Sequence, residues 1–408
     1  MYWPKLTSDL IRKQVLTALQ GNVNYREKAV LGVPASYLDS EIFYPDAPFL
    51  SNAPFLSSLI ANPNHIGCHT LGRSEDFFAG TQEMEKQLIK LCAEQIFKGE
   101  TDAQDGYVTS GGTEANIQAA WIYRNYFMSE KHAQTSEIGI LFSKDSHYSV
   151  AKAANLLNLA IFPVNVHANS REIDIDHLER QLEIAALKGI RYFIVTLNMG
   201  TTMFGSVDCI EKITAKLNQK NVEYKLHIDA AFGGFIYPFS NTNNLFTFKN
   251  PSVDSITIDA HKMLQTPYGT GIFLVRKGYM QYVCTHQAKY VMGNDHTLCG
   301  SRSGANAIAV WMVLHTYGSE GMKTRMNALV DRTTELCDRL VQQGIEFYRN
   351  PFMNIIAINA SCISPAIAKK YFLVADNYDA HVNWCKIVMM PHITRGMMDA
   401  LINDIQKQ

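Results

Sequence analysis

The sequence predicts an α/β protein: a large domain on a mainly parallel sheet, followed by a smaller C-terminal α+β domain. Three observations carry this. Short, wholly apolar runs recur between about residues 80 and 300, and helix-length amphipathic segments separate several of them. At about residue 305 the texture changes to long helical stretches and two further apolar runs. Runs without polar alternation fit strands covered on both faces, the condition of a parallel sheet packed between helices.

In chain order, residues 1–60 combine an amphipathic helical pattern over 6–19 with a stretch rich in Pro, Asn and Ser. Such a segment has little core of its own and is expected to be an arm that wraps a partner subunit. Residues 82–97 read as a helix. "DGYVTSGGTEAN" then reads as strand, glycine turn and a helix entered at Thr113 or Glu114. Strands follow at 138–142, 159–166, 192–197, 224–228, 255–258 and 272–275, with helices at 173–187 and 207–218. Beyond 305 the pattern gives helices at 305–317 and 322–343, then strands in "NIIAINA" and "KIVMMPHI". The expected division is an arm (1–60), a large domain (61–304) and a small domain (305–408). At 408 residues the chain exceeds what one small core supports.

Composition narrows the function classes. Lys plus Arg (37) nearly cancel Asp plus Glu (38), so no basic footprint for nucleic acid is present. No apolar run approaches the roughly 20 residues of a membrane span. The eight cysteines are scattered without a CxxC pair. That reads as reduced thiols of a cytoplasmic protein.

Several motifs carry chemistry. Ser110, Gly111 and Gly112 form a turn between a strand and a helix; free amides there, with the helix dipole, suit an anion. A plain strand-to-helix turn fits the same residues. Asp229 ends an apolar run before two alanines, where it faces a flat ligand or caps a solvated strand end. His147 follows a run and a polar turn, and stacks on an aromatic group or is an ordinary satisfied histidine. Lys262, after His261 in "SITIDAHKM", is a surface lysine or a Schiff-base nucleophile. His65 and His69 in "HIGCH" lack a third ligand, and the Asn-Pro-Asn before them opposes a helix, so no metal site is expected. Taken together, anion turn, histidine, aspartate and lysine all lie at strand C-terminal ends, where open α/β sheets bind ligands.

With "NPNHIG", "TSGGTEAN", "DSHYSV", "GTTMFGSVD", "HIDAAFGGF", "DSITIDAHKM", "GSRSG" and "VMMPHI" in this order, the chain resembles the group II pyridoxal-phosphate-dependent amino-acid decarboxylases. It is most similar to the short, archaeal-type tyrosine/aspartate forms. The resemblance implies the pyridoxal-phosphate-dependent transferase fold (fold type I), with a seven-stranded sheet. It also implies covalent pyridoxal 5'-phosphate, held as an aldimine by Lys262.

By motif, Gly111, Gly112, Thr113 and His261 would hold the phosphate, with Ser301 arriving from the other subunit of a homodimer. Asp229 would pair with the ring nitrogen, His147 and Ala231 would cover the two ring faces, and Thr202 would lie near the ring hydroxyl. Tyr290 resembles the loop tyrosine that returns a proton to the substrate carbon. Lys386 occupies a position where many relatives carry the arginine that binds the substrate α-carboxylate.

The expected substrate is a small polar or acidic L-amino acid, aspartate foremost. The short forms it most resembles span aspartate and tyrosine, and "NPNHIG" and "GNDHT" would place the polar Asn64, His65, Asn294 and His296 near the cavity mouth. A tyrosine-type aromatic substrate, or another carbon–carbon lyase reaction, is the alternative.

Overall fold

The computed structural model describes residues 79–285, 294–377 and 382–408, together with Asp9, residues 29–32, Ile42, residues 64–65 and Leu71. Most of the expected arm, and Tyr290, lie outside the described residues.

The large sheet has seven strands. They are β1 (Gln104–Thr109), β2 (Ile138–Ser143), β3 (Ala160–Val164), β4 (Tyr192–Asn198), β5 (Glu223–Ala230), β6 (Ser255–Asp259) and β7 (Gly271–Arg276). Their order is β1-β7-β6-β5-β4-β2-β3. Only β7 runs against the rest: it is antiparallel to both β1 and β6, while the other pairs are parallel. The mainly parallel sheet expected from the apolar runs is therefore present.

Every residue of β2, β4 and β6 is buried, because helices cover both faces. Side chains alternate between two cores, as the two-residue strand period requires. Leu226, Ile228 and Ala230 of β5 join the core on one face. The intervening His227 and Asp229 point to the opposite face, beneath helix α2. The helices in chain order are α1 (Ala79–Lys90), α2 (Gly112–Glu130), α3 (Ser149–Leu157), α4 (Ile175–Leu187) and α5 (Ile210–Gln219). A wide π turn, Leu91–Ile96, extends α1 into the region expected to be one helix.

The C-terminal part holds an antiparallel sheet of β8 (Phe347–Tyr348), β9 (Ile355–Asn359), β10 (Val374–Ala375) and β11 (Trp384–Val388), in the order β8-β9-β11-β10. The helix α6 (Gly304–Gln342) breaks at Gly318, whose φ of 61° is open to glycine but strained for other residues. The break falls between the two helices expected at 305–317 and 322–343. Val310, Val313 and Leu314 before the break pack on the large sheet's core, and Leu336 and Leu340 after it pack on the C-terminal core. Helices α7 (Pro365–Lys370) and α8 (Arg395–Gln406) complete this layer.

One described piece of the expected arm differs from expectation. Leu31 is buried in the chain's own C-terminal core, and its N–H donates to the Tyr371 carbonyl at 3.0 Å. No described helix is long and apolar enough to cross a membrane. The seven described cysteines are free thiols.

Candidate active site

A cleft of about 300 Å³ opens at the C-terminal ends of the parallel strands. Its wall is assembled from the strand ends and the loops that leave them: Gly111 to Thr113 after β1, His147 after β2, Thr202 after β4, Asp229 and Ala231 at the end of β5, Asp259 at the end of β6, and His261 and Lys262 just beyond it. Residues scattered over some 150 positions thus converge because a parallel sheet delivers every such loop to one edge.

The glycine turn has a steric reason. Gly111 has φ of 155°, a region L side chains rarely adopt. A Cβ on Gly112 would meet the Ala231 methyl and the Asp259 carboxylate, each at 3.0 Å. The helix begins at Gly112, one residue before the expected entry. Glu114 turns back and accepts the Ser110 N–H at 2.7 Å, which fixes the turn.

Asp229 is buried and accepts the Ala231 N–H (3.1 Å) and an N–H of Asn116 (2.8 Å). The His147 ring lies beside it, bonded through Nδ1 to the Ser149 hydroxyl at 2.8 Å. Burial lowers the His147 pKa below the usual imidazole value, the Asp229 charge acting in the opposite sense. Lys262 Nζ stands 3.0 Å from the Asp259 carboxylate, whose second oxygen is buried without a partner among the described residues. His261 stacks on Tyr268 with 4.8 Å between ring centres, and its buried Nδ1 also has no partner among the described residues.

Two expected residues sit outside the cleft wall. Lys386, on β11, is buried and donates from Nζ to the Thr202 carbonyl at 3.0 Å, so it reaches the rim from the C-terminal sheet. Burial, and then the charge of Lys262, push its pKa down to about 8. Ser301 is exposed on the loop before the short strand Arg302–Ser303, which pairs antiparallel with Asn64–His65. That pairing sets the backbone of His65; its side chain lies outside the described residues.

His296, expected at the cavity mouth, is instead buried. Its Nδ1 bonds the Asn294 carbonyl and its own carbonyl accepts from Gln118, because the turn folds these polar groups inward.

Sequence reasoning missed Asp259, Asn116, Ser149 and His227. One of them carried a weak signal: His227 stands two residues before Asp229 on the same strand, and the two-residue period turns that pair to one side.

The site fits a phosphorylated pyridine aldehyde. Helix-start amides and an unpartnered His261 nitrogen offer donors to a phosphate. A buried carboxylate and an imidazole suit a flat, protonated ring, and an amine suits an aldehyde. An α/β fold with such a cleft defines the class of fold type I enzymes. Residues 74–357 match the pyridoxal-dependent decarboxylase conserved domain, and the chain belongs to that family.

The chain is 44% identical, over 406 residues, to the tryptophan decarboxylase of Clostridium sporogenes (100% of this chain, 97% of that one). It is 32% identical, over 365 residues, to a probable L-tyrosine/L-aspartate decarboxylase of Methanocella arvoryzae (86% and 92%). The fold matches the L-methionine decarboxylase of Streptomyces sp.590 with a TM-score of 0.80 at 20% identity, covering 99% and 96% of the two chains. The protein is therefore a pyridoxal-phosphate-dependent amino-acid decarboxylase. Of the reactions left open by the sequence, decarboxylation stands.

Proposed function

We propose that this chain removes the α-carboxylate of an aromatic L-amino acid, tryptophan foremost and tyrosine next. The observation that carries this is the 44% identity to a tryptophan decarboxylase along essentially both whole chains. It favours the aromatic alternative over aspartate. The inward turn of His296 supports the same choice, since one donor that a second carboxylate would have used is spent within the protein.

The roles follow from the cleft. Bound pyridoxal phosphate supplies an electron sink for the bond that breaks at the substrate carbon. Lys262 is the amine that would hold its aldehyde carbon. Gly111, Gly112, Thr113 and His261 would bind the phosphate, and Thr202 would lie by the ring hydroxyl. Asp229 would keep a proton on the ring nitrogen. His147 would cover one ring face and the Ala231 methyl the other. Asp259, 3.0 Å from Lys262 Nζ, would orient that amine and hold a proton on it. Tyr290 would return the proton to the substrate carbon. Ser301 would serve the neighbouring cleft in a homodimer, and His65 would contact substrate.

Lys386 would bind the substrate α-carboxylate by turning Nζ from the Thr202 carbonyl. Lys386→Met should raise KM roughly ten- to a hundredfold, the loss expected for a charge-assisted hydrogen bond. The protonated amine is the binding form, present below its pKa of about 8 and lost above it. In the wild type kcat/KM should therefore fall as pH rises through that value. Lys386→Arg should remove that part of the fall, because guanidinium keeps its charge. Identical pH profiles for wild type and Lys386→Arg would assign the carboxylate to another group.

The substrate reading is tested by amine and CO2 release from tryptophan, tyrosine, phenylalanine, histidine and aspartate. Tryptophan or tyrosine should give the highest kcat/KM; aspartate ahead of both would sink the aromatic reading. Sedimentation of the same preparation should show a dimer, and full activity in a monomer would remove the cross-subunit role of Ser301.

A further inference from the structure

Asn116 lies in the second turn of α2, over the sheet face to which His227 and Asp229 point. Its amide uses every hydrogen-bonding group. Nδ2 donates to Asp229 Oδ2 at 2.8 Å and to Ser149 Oγ at 2.9 Å, and Oδ1 lies 2.9 Å from His227 Nε2. The polarity of this chain of bonds is fixed by what each group can do. A carboxylate only accepts, so the amide nitrogen must face Asp229 and the oxygen must face His227. His227 then donates from Nε2, and its Nδ1 accepts from the Ser255 hydroxyl at 2.7 Å. On the other side, Ser149 Oγ accepts from Asn116 and passes its own proton to His147 Nδ1 at 2.8 Å. The Ser149 N–H also points at that nitrogen, at 3.3 Å. His147 therefore carries its proton on Nε2.

We propose that Asn116 is a positioning residue for the decarboxylation: one amide orients the Asp229 carboxylate, braced by His227, and through Ser149 sets the tautomer of His147. The two groups assigned to the cofactor's ring nitrogen and ring face are then held by a single buried side chain. Burial favours neutral rings at both ends of this chain, taking the His227 pKa to about 4 and lowering that of His147. The inference rests on the roles given above to Asp229 and His147.

The test is nitrogen-15 spectroscopy of the histidine side chains in the full-length protein, with and without pyridoxal phosphate. The wild type should show His147 and His227 each as a single Nε2–H tautomer. Asn116→Leu keeps the volume but cannot hydrogen bond, and should perturb both histidines. In the loaded enzyme it should lower kcat roughly ten- to a hundredfold, with KM within about twofold.

Ser149→Ala should perturb His147 and leave His227 at its wild-type position. A folded Asn116→Leu protein with both histidine spectra unchanged overturns the proposal. If leucine prevents folding, Ser149→Ala decides, and unchanged His147 signals overturn it equally. The underlying role of Asp229 fails by a different sign, full turnover in Asp229→Asn, which leaves the histidine spectra of the wild type as described.

Discussion

Lys262→Ala should retain the fold and lose turnover by roughly four to six orders of magnitude, the scale seen when a covalent nucleophile is removed. The side chain is partly exposed to the cleft and follows β6 on a short helix, Ala260–Met263, so its removal opens no cavity in either core. Its ion pair with Asp259 is lost, which leaves a buried carboxylate unpaired and lowers stability. That cost is local, and the circular dichroism spectrum at ambient temperature should match the wild type. Turnover within tenfold of the wild type would remove Lys262 from the reaction.

Asp229→Asn should lower kcat by roughly a hundred- to a thousandfold, as expected when a preorganised charge is removed from a buried site. The amide cannot hold a proton on a ring nitrogen. It also presents an N–H to a neighbourhood where Asn116 and Ala231 already donate. Cofactor content, measured by absorbance, should change little, because the phosphate donors and Lys262 are untouched. A variant with normal kcat would reduce Asp229 to a strand-end carboxylate.

Much of this architecture was legible in the sequence, for physical reasons. Strands covered on both faces leave uninterrupted apolar runs, so β2, β4, β6 and β7 were visible to within a residue or two. Lys262, Asp229 and His147 were visible because each ends or follows such a run. Asn116 was not, since an asparagine in a helix carries no pattern. Two of its partners lie 111 and 113 residues away and meet it through the packing of α2 on β5. Asp259 was hidden beside a louder His-Lys pair.

Beside the family resemblance, the substrate expectation leaned on polar residues at 64–65 and 294–296. Nothing in the local sequence says that the turn buries His296 against Gln118. Lys386 is the opposite case. It was singled out by a departure from the family's arginine, and from another sheet it reaches the loop that borders the cleft.

Every role given to the cleft depends on one assignment, that Lys262 holds the cofactor there. Borohydride reduction of the protein loaded with pyridoxal phosphate, followed by peptide mass mapping, reads it out. A pyridoxyl group is expected on the peptide containing Lys262 and on no other in stoichiometric amount. A stoichiometric label on Lys386, or on any lysine outside the cleft, would contradict it.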